Sequence, residues 1–425
     1  MTPTIADGSR NMAKVKTLTY LMFAMFAMTT DSVGLIIPEI IKAFQLSLTA
    51  AGTFQYATMA GIAAAGLLLG QLADRFGRRR TIVAGLMLFA AACFLLAAGS
   101  SFLFFAVMLG LSGLAIGVFK TGALALIGDI STSGAQHTSI MNTAEGCFGV
   151  GAIIGPAILA RLLTAGLSWT WLYAIAGTIC VALIVLALVV KYPETRTPSG
   201  GSGFSGTGRA MRSPYVLAFS AGAFLYVGVE AAVYVWLPTL LAGYAGPAAA
   251  LATYSISIFF LLRAAGRFLG AWMLTRFQWR SVLALFSGCI FLCFIASVAG
   301  GVNWAVYLLP LSGLFMSIIY PTINSKGISC LPKSEHGAGA GVILFFTCAS
   351  AVLAPLTIGA VSDAFGQIEY GFSLATGFAA LLFIGALLNW LLDPTRVVLE
   401  RLDVTEYRQD ATSDFSRSVH NVHPG

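Results

Sequence analysis

Between two long apolar segments the chain reads GQLADRFGRRR, from Gly70 to Arg80. The flanking segments cover residues 48–70 and 81–99, and each is long enough to cross a bilayer, which takes about twenty apolar residues. Four arginines crowd into this short loop, and loops rich in positive charge stay on the cytoplasmic side of a membrane. The stretch therefore predicts two membrane-spanning helices joined in the cytoplasm.

Ten more segments of the same kind follow from the rest of the chain, which makes twelve. In chain order, helix 1 to helix 12 are predicted at 17–43, 48–70, 81–99, 102–127, 139–164, 169–190, 215–241, 250–273, 281–300, 304–329, 337–361 and 370–392. The composition agrees, because 58% of the 425 residues are hydrophobic and 10% are charged, where soluble domains have about a quarter charged. Barrel strands alternate apolar and polar residues, and these segments do not. We expect an all-α polytopic membrane protein.

The positions of Lys and Arg orient these helices. Apart from Lys42 and Arg161 near helix ends, the loop residues fall on one side: Arg10, Lys14, Lys16, Arg75, Arg78, Arg79, Arg80, Lys191, Arg196, Arg209, Arg212, Arg276, Arg280, Lys333, Arg396 and Arg401. That side is predicted to be the cytoplasm and to hold both termini. The net charge of +7 lies in loops and not along one basic face, which argues against nucleic-acid binding. We expect a multi-pass protein of a bacterial cytoplasmic (inner) membrane.

A Gly- and Ser-rich stretch near the middle reads as a flexible linker between two six-helix bundles. The predicted division is an N-terminal cytoplasmic tail 1–16, a bundle 17–191, the linker 192–213, a bundle 214–393 and a C-terminal cytoplasmic tail 394–425. A repeat of about 200 residues relates the bundles. It aligns Asp31 with Glu230, Pro156 with Pro355, and Arg80-Thr81 with Arg280-Ser281.

The loop motif matches the signature G-x-L-x-D-R-x-G-R-[RK], and on it the chain resembles the major facilitator superfamily. The resemblance implies the twelve-helix major facilitator fold, two pseudo-symmetric bundles with a solute site between them. Such a charged loop can lock the cytoplasmic gate in one conformation and release it in the other. The predicted gate residues are Asp74, Arg75, Gly77 and Arg78 of the motif, with Asp129 at the cytoplasmic end of helix 4.

Four ionisable residues within spans are the main site candidates, because a charge at the bilayer centre costs about 3 kcal/mol. They are Asp31 in helix 1, Lys120 in helix 4, Glu230 in helix 7 and Arg263 in helix 8. In the superfamily, helices 1, 4, 7 and 10 line the central cavity. A carboxylate there could bind solute and exchange protons. The alternative is a buried ion pair, such as Asp31 with Lys120, that only holds helices together.

Further polar or aromatic candidates for binding or coupling lie in other spans. They are Gln55, Asn142, Glu145, Trp236, Tyr320 and Asn324. Glu145 lies about two turns into helix 5, so a gate role competes with a site role. Trp236 could stack on a sugar ring, although an aromatic residue in a membrane helix more often packs or faces lipid.

Two segments resemble a narrower family, the fucose–galactose–glucose–proton symporters. They are FLYVGVEAAVYVWLPTLL in helix 7, Phe224 to Leu241, and MNTAEGCFGVGAIIGP in helix 5, Met141 to Pro156. The resemblance implies proton-coupled import of a monosaccharide, with Asp31 as the helix-1 carboxylate for coupling or binding. One departure stands out. Sugar-transporting relatives have a carboxylate or amide in helix 4 where this chain has Lys120, and a cation there favours a carboxylated ligand such as a sugar acid.

The leading hypothesis is a secondary symporter for a sugar or sugar-derived acid, with a proton or sodium ion as the coupling ion. An exporter of drugs or metabolites is the alternative within transporters, and a sensor or channel is the alternative from another class. The four histidines, His137, His336, His420 and His423, are predicted in loops or the tail, so no catalytic set is expected. We expect no enzyme activity, cofactor or metal, and a monomer in the lipid bilayer.

Overall fold

The protein is almost entirely helical. The computed structural model describes residues 5–45, 48–193, 205–241 and 244–408, and within these ranges it has helices and no β-strand. Helices 1 to 6 are Ile5–Thr30 continued by Val33–Phe44, then Leu48–Leu69, Arg78–Ala98, Phe102–Asp129, Gly134–Thr164 and Trp171–Val189. Helices 7 to 12 are Pro214–Leu240, Ser255–Arg276, Trp279–Gly300, Val302–Met316 continued by Ile319–Ser329, His336–Phe365 and Ile368–Leu392.

Helices 3 to 12 are long and apolar enough to cross a membrane. They make up the ten such helices in the described part of the chain, with the two pieces of helix 10 counted together. Helix 2 contributes a shorter apolar stretch, Phe54–Leu69. Helix 1 is interrupted in its middle. The predicted all-α polytopic fold is confirmed.

Helix 1 differs from its prediction in two ways. It begins at Ile5 and not near residue 17, so the helix extends beyond the apolar segment through a polar stretch. It also breaks at Asp31 and Ser32. There the Thr29 hydroxyl donates to the carbonyl of Phe26 over 3.0 Å and the Ser32 hydroxyl to that of Met28 over 2.6 Å. Such side-chain hydrogen bonds compete with the helical ladder and open it at this point.

Helix 10 was predicted as one span and is also broken, at Ser317 and Ile318. Pro321 lies four residues after Ser317. It has no N–H to bond the Ser317 carbonyl, and its ring clashes with that carbonyl, so the helix cannot run through unchanged. The second piece, Ile319–Ser329, is buried along its whole length.

Three segments meet at one end of the molecule, which we call the latch end. They are the short helix Leu72–Phe76, the first turn of helix 5 at Gly134, and the 3₁₀ turn Lys333–Glu335 that precedes helix 11. The charge distribution predicts this end to be cytoplasmic.

Two polar segments beside the latch end contain helices. The second part of the predicted flexible linker forms a helix, Ser205–Arg212, and Arg209 makes a 2.7 Å ion pair with Glu335. The predicted C-terminal tail contains the helix Arg396–Leu402 and a π-helical stretch Asp403–Arg408. His420 and His423 lie outside the described residues.

Glycines bring helices of the two halves of the chain into close contact. A methyl group on Gly66 of helix 2 would lie 2.8 Å from the carbonyl oxygen of Gly341 in helix 11. One on Gly149 of helix 5 would lie 3.3 Å from the Ala264 Cβ in helix 8. Such approaches leave no room for larger residues. Helices 1–6 and helices 7–12 therefore pack backbone against backbone beside the site described next.

Candidate functional site

Six ionisable side chains lie inside the helical bundle and form what we call the central charge cluster. Three are acids and three are cations: Asp31, Lys120, Glu145, Glu230, Arg263 and Arg267. Five were noted as site candidates from the sequence, and the structure brings them together. Arg267 was missed as a site residue, although an arginine one helical turn after Arg263 within the same span was a signal for it.

Glu230 and Arg263 form a close ion pair within the second half. The Arg263 guanidinium donates to Glu230 Oε1, and the Tyr226 hydroxyl donates to the same oxygen over 2.9 Å. Tyr226 lies one turn before Glu230 on the same face of helix 7, so its hydroxyl reaches the Glu230 carboxylate. The charge of Glu230 is thus held by a cation and a hydroxyl.

Glu145 of helix 5 joins the two halves. One carboxylate oxygen lies 3.4 Å from Lys120 Nζ in helix 4, and the other lies 3.8 Å from Arg267 Nη2 in helix 8. Arg267 also donates to the Glu145 backbone carbonyl over 2.8 Å. The suggested pairing of Asp31 with Lys120 is therefore wrong. Glu145 takes that place because helix 5 brings its carboxylate within 3.4 Å of the Lys120 ammonium, while Asp31 lies at the break of helix 1.

Asp31 stands apart from these pairs. It lies at the break of helix 1, is partly exposed, and accepts a 2.9 Å hydrogen bond from the Thr30 hydroxyl. In the described part of the chain no Lys or Arg nitrogen comes within 4.0 Å of it, although Arg263 and Arg267 are near enough to act on it electrostatically. Asp31 is the acid of the cluster whose charge is not held in an ion pair.

Aromatic rings surround the Lys120 ammonium. Its Nζ lies 5.1 Å from the ring centroid of Phe148, 5.7 Å from that of Tyr320 and 5.9 Å from that of Phe23. Ring faces attract a cation, most strongly where water is excluded. Tyr320 in turn stacks on Tyr226 at 6.2 Å, so it links the Lys120 side of the cluster to the Glu230 side. The Lys120 side chain is still 14% exposed.

The remaining candidates lie at helix contacts. Asn142 is fully buried beside Gly270 of helix 8, and its amide donates to the Thr138 carbonyl over 2.9 Å. Asn324 is buried and directs its amide at the Tyr320 hydroxyl at 3.4 Å. The Trp236 indole donates to the carbonyl of Pro355 over 3.3 Å, which packs helix 7 on helix 11. Gln55 is half-buried, about two turns into helix 2.

The latch end is closed by the predicted gate motif. The Asp74 carboxylate accepts hydrogen bonds from the backbone N–H groups of Gly337 at 3.0 Å and Ala338 at 2.9 Å, in the first turn of helix 11. Those N–H groups have no partner within their helix, and the positive end of the helix dipole favours an anion there. Burial raises the pKa of the Asp74 carboxyl to about 6, and the Arg78 guanidinium acts in the opposite direction.

Arg78 is the fully buried centre of this closure. It makes a close ion pair with Asp74, donates to Asp129 Oδ2 over 2.9 Å, and donates to the Lys333 carbonyl over 2.6 Å. Gly77 has a φ of 91°, so the turn into helix 3 requires glycine. Arg75 is exposed and lies over the Phe76 ring, away from these contacts. The closure is formed by Asp74, Arg78 and Asp129. Arg75, also a predicted gate residue, lies outside it.

Two histidines predicted in loops lie in helices at the same closure. His137, in the first turn of helix 5, and His336, which starts helix 11, are both buried, and their ring centroids are 5.9 Å apart. His137 Nδ1 lies 2.7 Å from the Ser325 hydroxyl. Their loop assignment was wrong because both helices begin earlier than the apolar segments that were used to place them.

The C-terminal segment crosses the closure as well. Asp403 accepts a 2.8 Å hydrogen bond from the backbone N–H of Gly134, the first residue of helix 5. The Lys326 ammonium donates to the Gly134 carbonyl over 3.1 Å. The segment after helix 12 therefore caps a helix of the other half.

Comparison with known proteins agrees with this architecture. The family model described as Major Facilitator Superfamily matches residues 19–355. The glucose/galactose transporter of Brucella abortus is 26% identical over 377 residues, which cover 85% of this chain and 91% of that protein. The L-fucose-proton symporter of Escherichia coli is 26% identical over 407 residues, which cover 86% and 90%.

A solved structure shows the same fold. The crystal structure of the transporter FucP in the outward conformation has a TM-score of 0.75 and 23% identity, and the match covers 87% of this chain and 97% of that one. The resemblance to fucose–galactose–glucose–proton symporters and the major facilitator fold, both expected from the sequence, are confirmed. The chain belongs to the major facilitator superfamily of transporters.

Proposed function

We propose that the protein is a secondary active transporter that carries a monosaccharide or sugar-derived acid into the cell together with a proton. The relatives named glucose/galactose transporter and L-fucose-proton symporter support a sugar-like solute and a proton. The central charge cluster supports it independently, because six ionisable groups inside a membrane bundle are costly to bury and are typical of solute and ion pathways.

The observation that carries the proposal is that Asp31 is not held in an ion pair. Glu145 and Glu230 each lie beside cations, whereas Asp31 has a hydroxyl as its hydrogen-bond partner and is partly exposed. A carboxylate that no cation holds can be neutralised by a proton and can release it again without breaking an ion pair. Asp31 would take the proton from one side of the membrane and release it on the other.

Alternating access would move the proton and the solute across together. The units 17–191 and 214–393 would rock about the central charge cluster, and the latch end would face the cytoplasm. The structure is closed there by Asp74, Arg78 and Asp129. Segments 1–16, 192–213 and 394–425 would be cytoplasmic in this arrangement, and the transporter would act as a monomer.

The test is uptake into proteoliposomes with an inward proton gradient, an inward sodium gradient or neither. The solutes are D-glucose, D-galactose, L-fucose, D-glucuronate and D-gluconate. Wild type and Asp31→Asn are compared with Asp363→Asn, which removes an exposed carboxylate near the far end of helix 11. We expect proton-driven accumulation in wild type and Asp363→Asn. Asp31→Asn should keep solute exchange without a gradient and lose accumulation.

Other outcomes would redirect the proposal. Accumulation driven by sodium and not by protons would make sodium the coupling ion. If neither gradient drives any of the five solutes inward, import is wrong, and the same architecture would be tested as a proton-driven exporter with preloaded vesicles.

A further inference from the structure

Glu145 is the internal counter-ion of two cations that belong to different halves of the chain. Its distances to Lys120 and Arg267 are 3.4 Å and 3.8 Å, which are long for ion pairs inside a bundle, whereas Arg263 and Glu230 are in close contact. In the described part of the chain, Glu145 Oε1 has the long 3.4 Å contact with Lys120 Nζ in place of a well-formed hydrogen bond, and Arg267 Nε donates none, although both atoms are buried. Buried polar atoms satisfied this poorly are costly.

Lys120 has bonding capacity that these contacts do not use. An ammonium group carries three donors, and the contact with Glu145 uses at most one of them. Its other neighbours at close range are ring faces, which attract the charge but accept no strong hydrogen bond. The side chain is 14% exposed, so a small ligand can reach it.

The charge balance of the cluster favours an anion as that ligand. Three acids face three cations, so the cluster is neutral when every group is ionised. Once Asp31 takes a proton, the cluster carries a net positive charge inside the membrane. A bound carboxylate would restore neutrality, whereas a neutral sugar would leave the charge buried and uncompensated.

We propose that the solute is a carboxylated monosaccharide, and that its carboxylate replaces Glu145 as the partner of Lys120. This inference rests on the proposed function, since it names the substrate class of the same site. Glu145, released from Lys120, stays with Arg267. Glu145 is thus a positioning residue: it holds Lys120 in the empty site and competes with the solute for it.

The exchange also connects binding to the contact between the halves. Glu145 lies on the face of helix 5 that packs on helix 8, between Asn142, which lies against Gly270, and Gly149, which lies against Ala264. A carboxylate that is shared between Lys120 and Arg267 and then given to Arg267 alone changes the charge at this contact. The occupied site therefore differs from the empty one at the surface that separates during alternating access.

Binding without any gradient tests the inference. The purified full-length protein in detergent is titrated calorimetrically with D-glucuronate, D-gluconate, D-glucose and the methyl ester of D-glucuronate, which has nearly the same shape and no charge. We expect the two carboxylates to bind at least about tenfold more tightly than the neutral sugars, the size of one charged hydrogen bond. Lys120→Gln should remove this preference, and Arg161→Gln, which removes an exposed cation of helix 5, should keep it.

The Glu145→Gln variant separates competition from a structural role. Because it removes the internal competitor, it should bind D-glucuronate several-fold more tightly than wild type and so increase the preference for D-glucuronate over D-glucose. A pair that only stabilises the fold predicts the reverse, with weaker binding in each single variant and recovery in Lys120→Gln/Glu145→Gln. If Lys120→Gln does not fold, the methyl ester and Glu145→Gln still decide the matter.

The inference is overturned if D-glucose and D-glucuronate bind equally, if neither carboxylate binds, or if Glu145→Gln weakens carboxylate binding. Its failure is distinct from that of the proposed function. Gradient-driven uptake of a neutral hexose with no carboxylate preference keeps the symporter and removes the acid substrate. Carboxylate binding with the expected variant pattern, but without gradient-driven uptake, keeps the acid substrate and removes symport.

Discussion

Asp74 accepts a hydrogen bond from the backbone N–H of Gly337 over 3.0 Å, which joins residues 263 positions apart in the sequence. The first residue belongs to a charged loop of the N-terminal half and the second to the start of helix 11 in the C-terminal half. An acid at a helix N-terminus satisfies N–H groups that the helix itself cannot, and it also meets the positive end of the dipole. This direct contact between the two halves therefore depends on the negative charge of Asp74.

Replacing that charge should loosen the latch end. Asp74→Asn keeps one acceptor oxygen but loses the ion pair with Arg78 and the charge that faces helix 11. We expect the amide hydrogens of Gly337 and Ala338 to exchange roughly tenfold faster, since a charged hydrogen bond contributes about 1.5–3 kcal/mol. Hydrogen–deuterium exchange with mass spectrometry of the start of helix 11 measures this. Asp363→Asn, near the other end of the same helix, should not change the rate, and equal rates in both variants would contradict the latch.

A methyl group at the contact of helices 2 and 11 should hinder closure. Gly341→Ala places its Cβ against the carbonyl oxygen of Gly66, where no atom fits. Overpacking costs about 1–3 kcal/mol, and here the cost falls on the state closed at the latch end. We expect solute exchange in proteoliposomes to slow while expression and folding stay near wild type. The control is Gly377→Ala in helix 12, which has open space around it, and comparable exchange in the two variants would refute the prediction.

Removing one partner of the ion pair between Arg263 and Glu230 should destabilise the protein. Arg263→Met leaves the Glu230 carboxylate buried with the Tyr226 hydroxyl as its remaining close partner. An unpaired buried charge costs about 3–5 kcal/mol, so the melting temperature in detergent should fall markedly. Arg263→Met/Glu230→Gln should recover most of the loss, because no net charge is then left behind. A double variant as unstable as the single one would show that Glu230 is not the partner that matters.

The C-terminal segment should detach when its cap on helix 5 is lost. Asp403→Asn weakens the hydrogen bond from the Gly134 N–H and removes the charge beside Lys326. A capping interaction contributes about 1 kcal/mol, so amide exchange in residues 396–408 should rise by roughly fivefold. Glu400→Gln is the matched control, because Glu400 pairs with Arg396 on an exposed face of the same segment, and such pairs contribute little. Unchanged exchange in Asp403→Asn would mean that the segment is held by other contacts.

The sequence by itself determined the helical membrane fold. Long apolar runs can cross a bilayer only as helices, because every backbone polar group must be satisfied inside the segment. It also identified Asp31, Lys120, Glu230 and Arg263 as exceptional, because a charge within a span is costly wherever it points. The gate motif could also be recognised from the sequence, because Asp74, Gly77 and Arg78 have a fixed spacing within one short loop.

Tertiary structure alone decided which of these charges meet. The sequence suggested an ion pair between Lys120 and Asp31, but Lys120 pairs with Glu145. The position of Glu145 along helix 5 had allowed either a gate role or a site role. Arg267 reaches Glu145 only because helix 8 packs on helix 5. His137 and His336, assigned to loops, meet inside the latch end. Ion pairs depend on distances of a few ångströms between helices distant in sequence, and those distances follow from packing, which the order of residues along one helix does not contain.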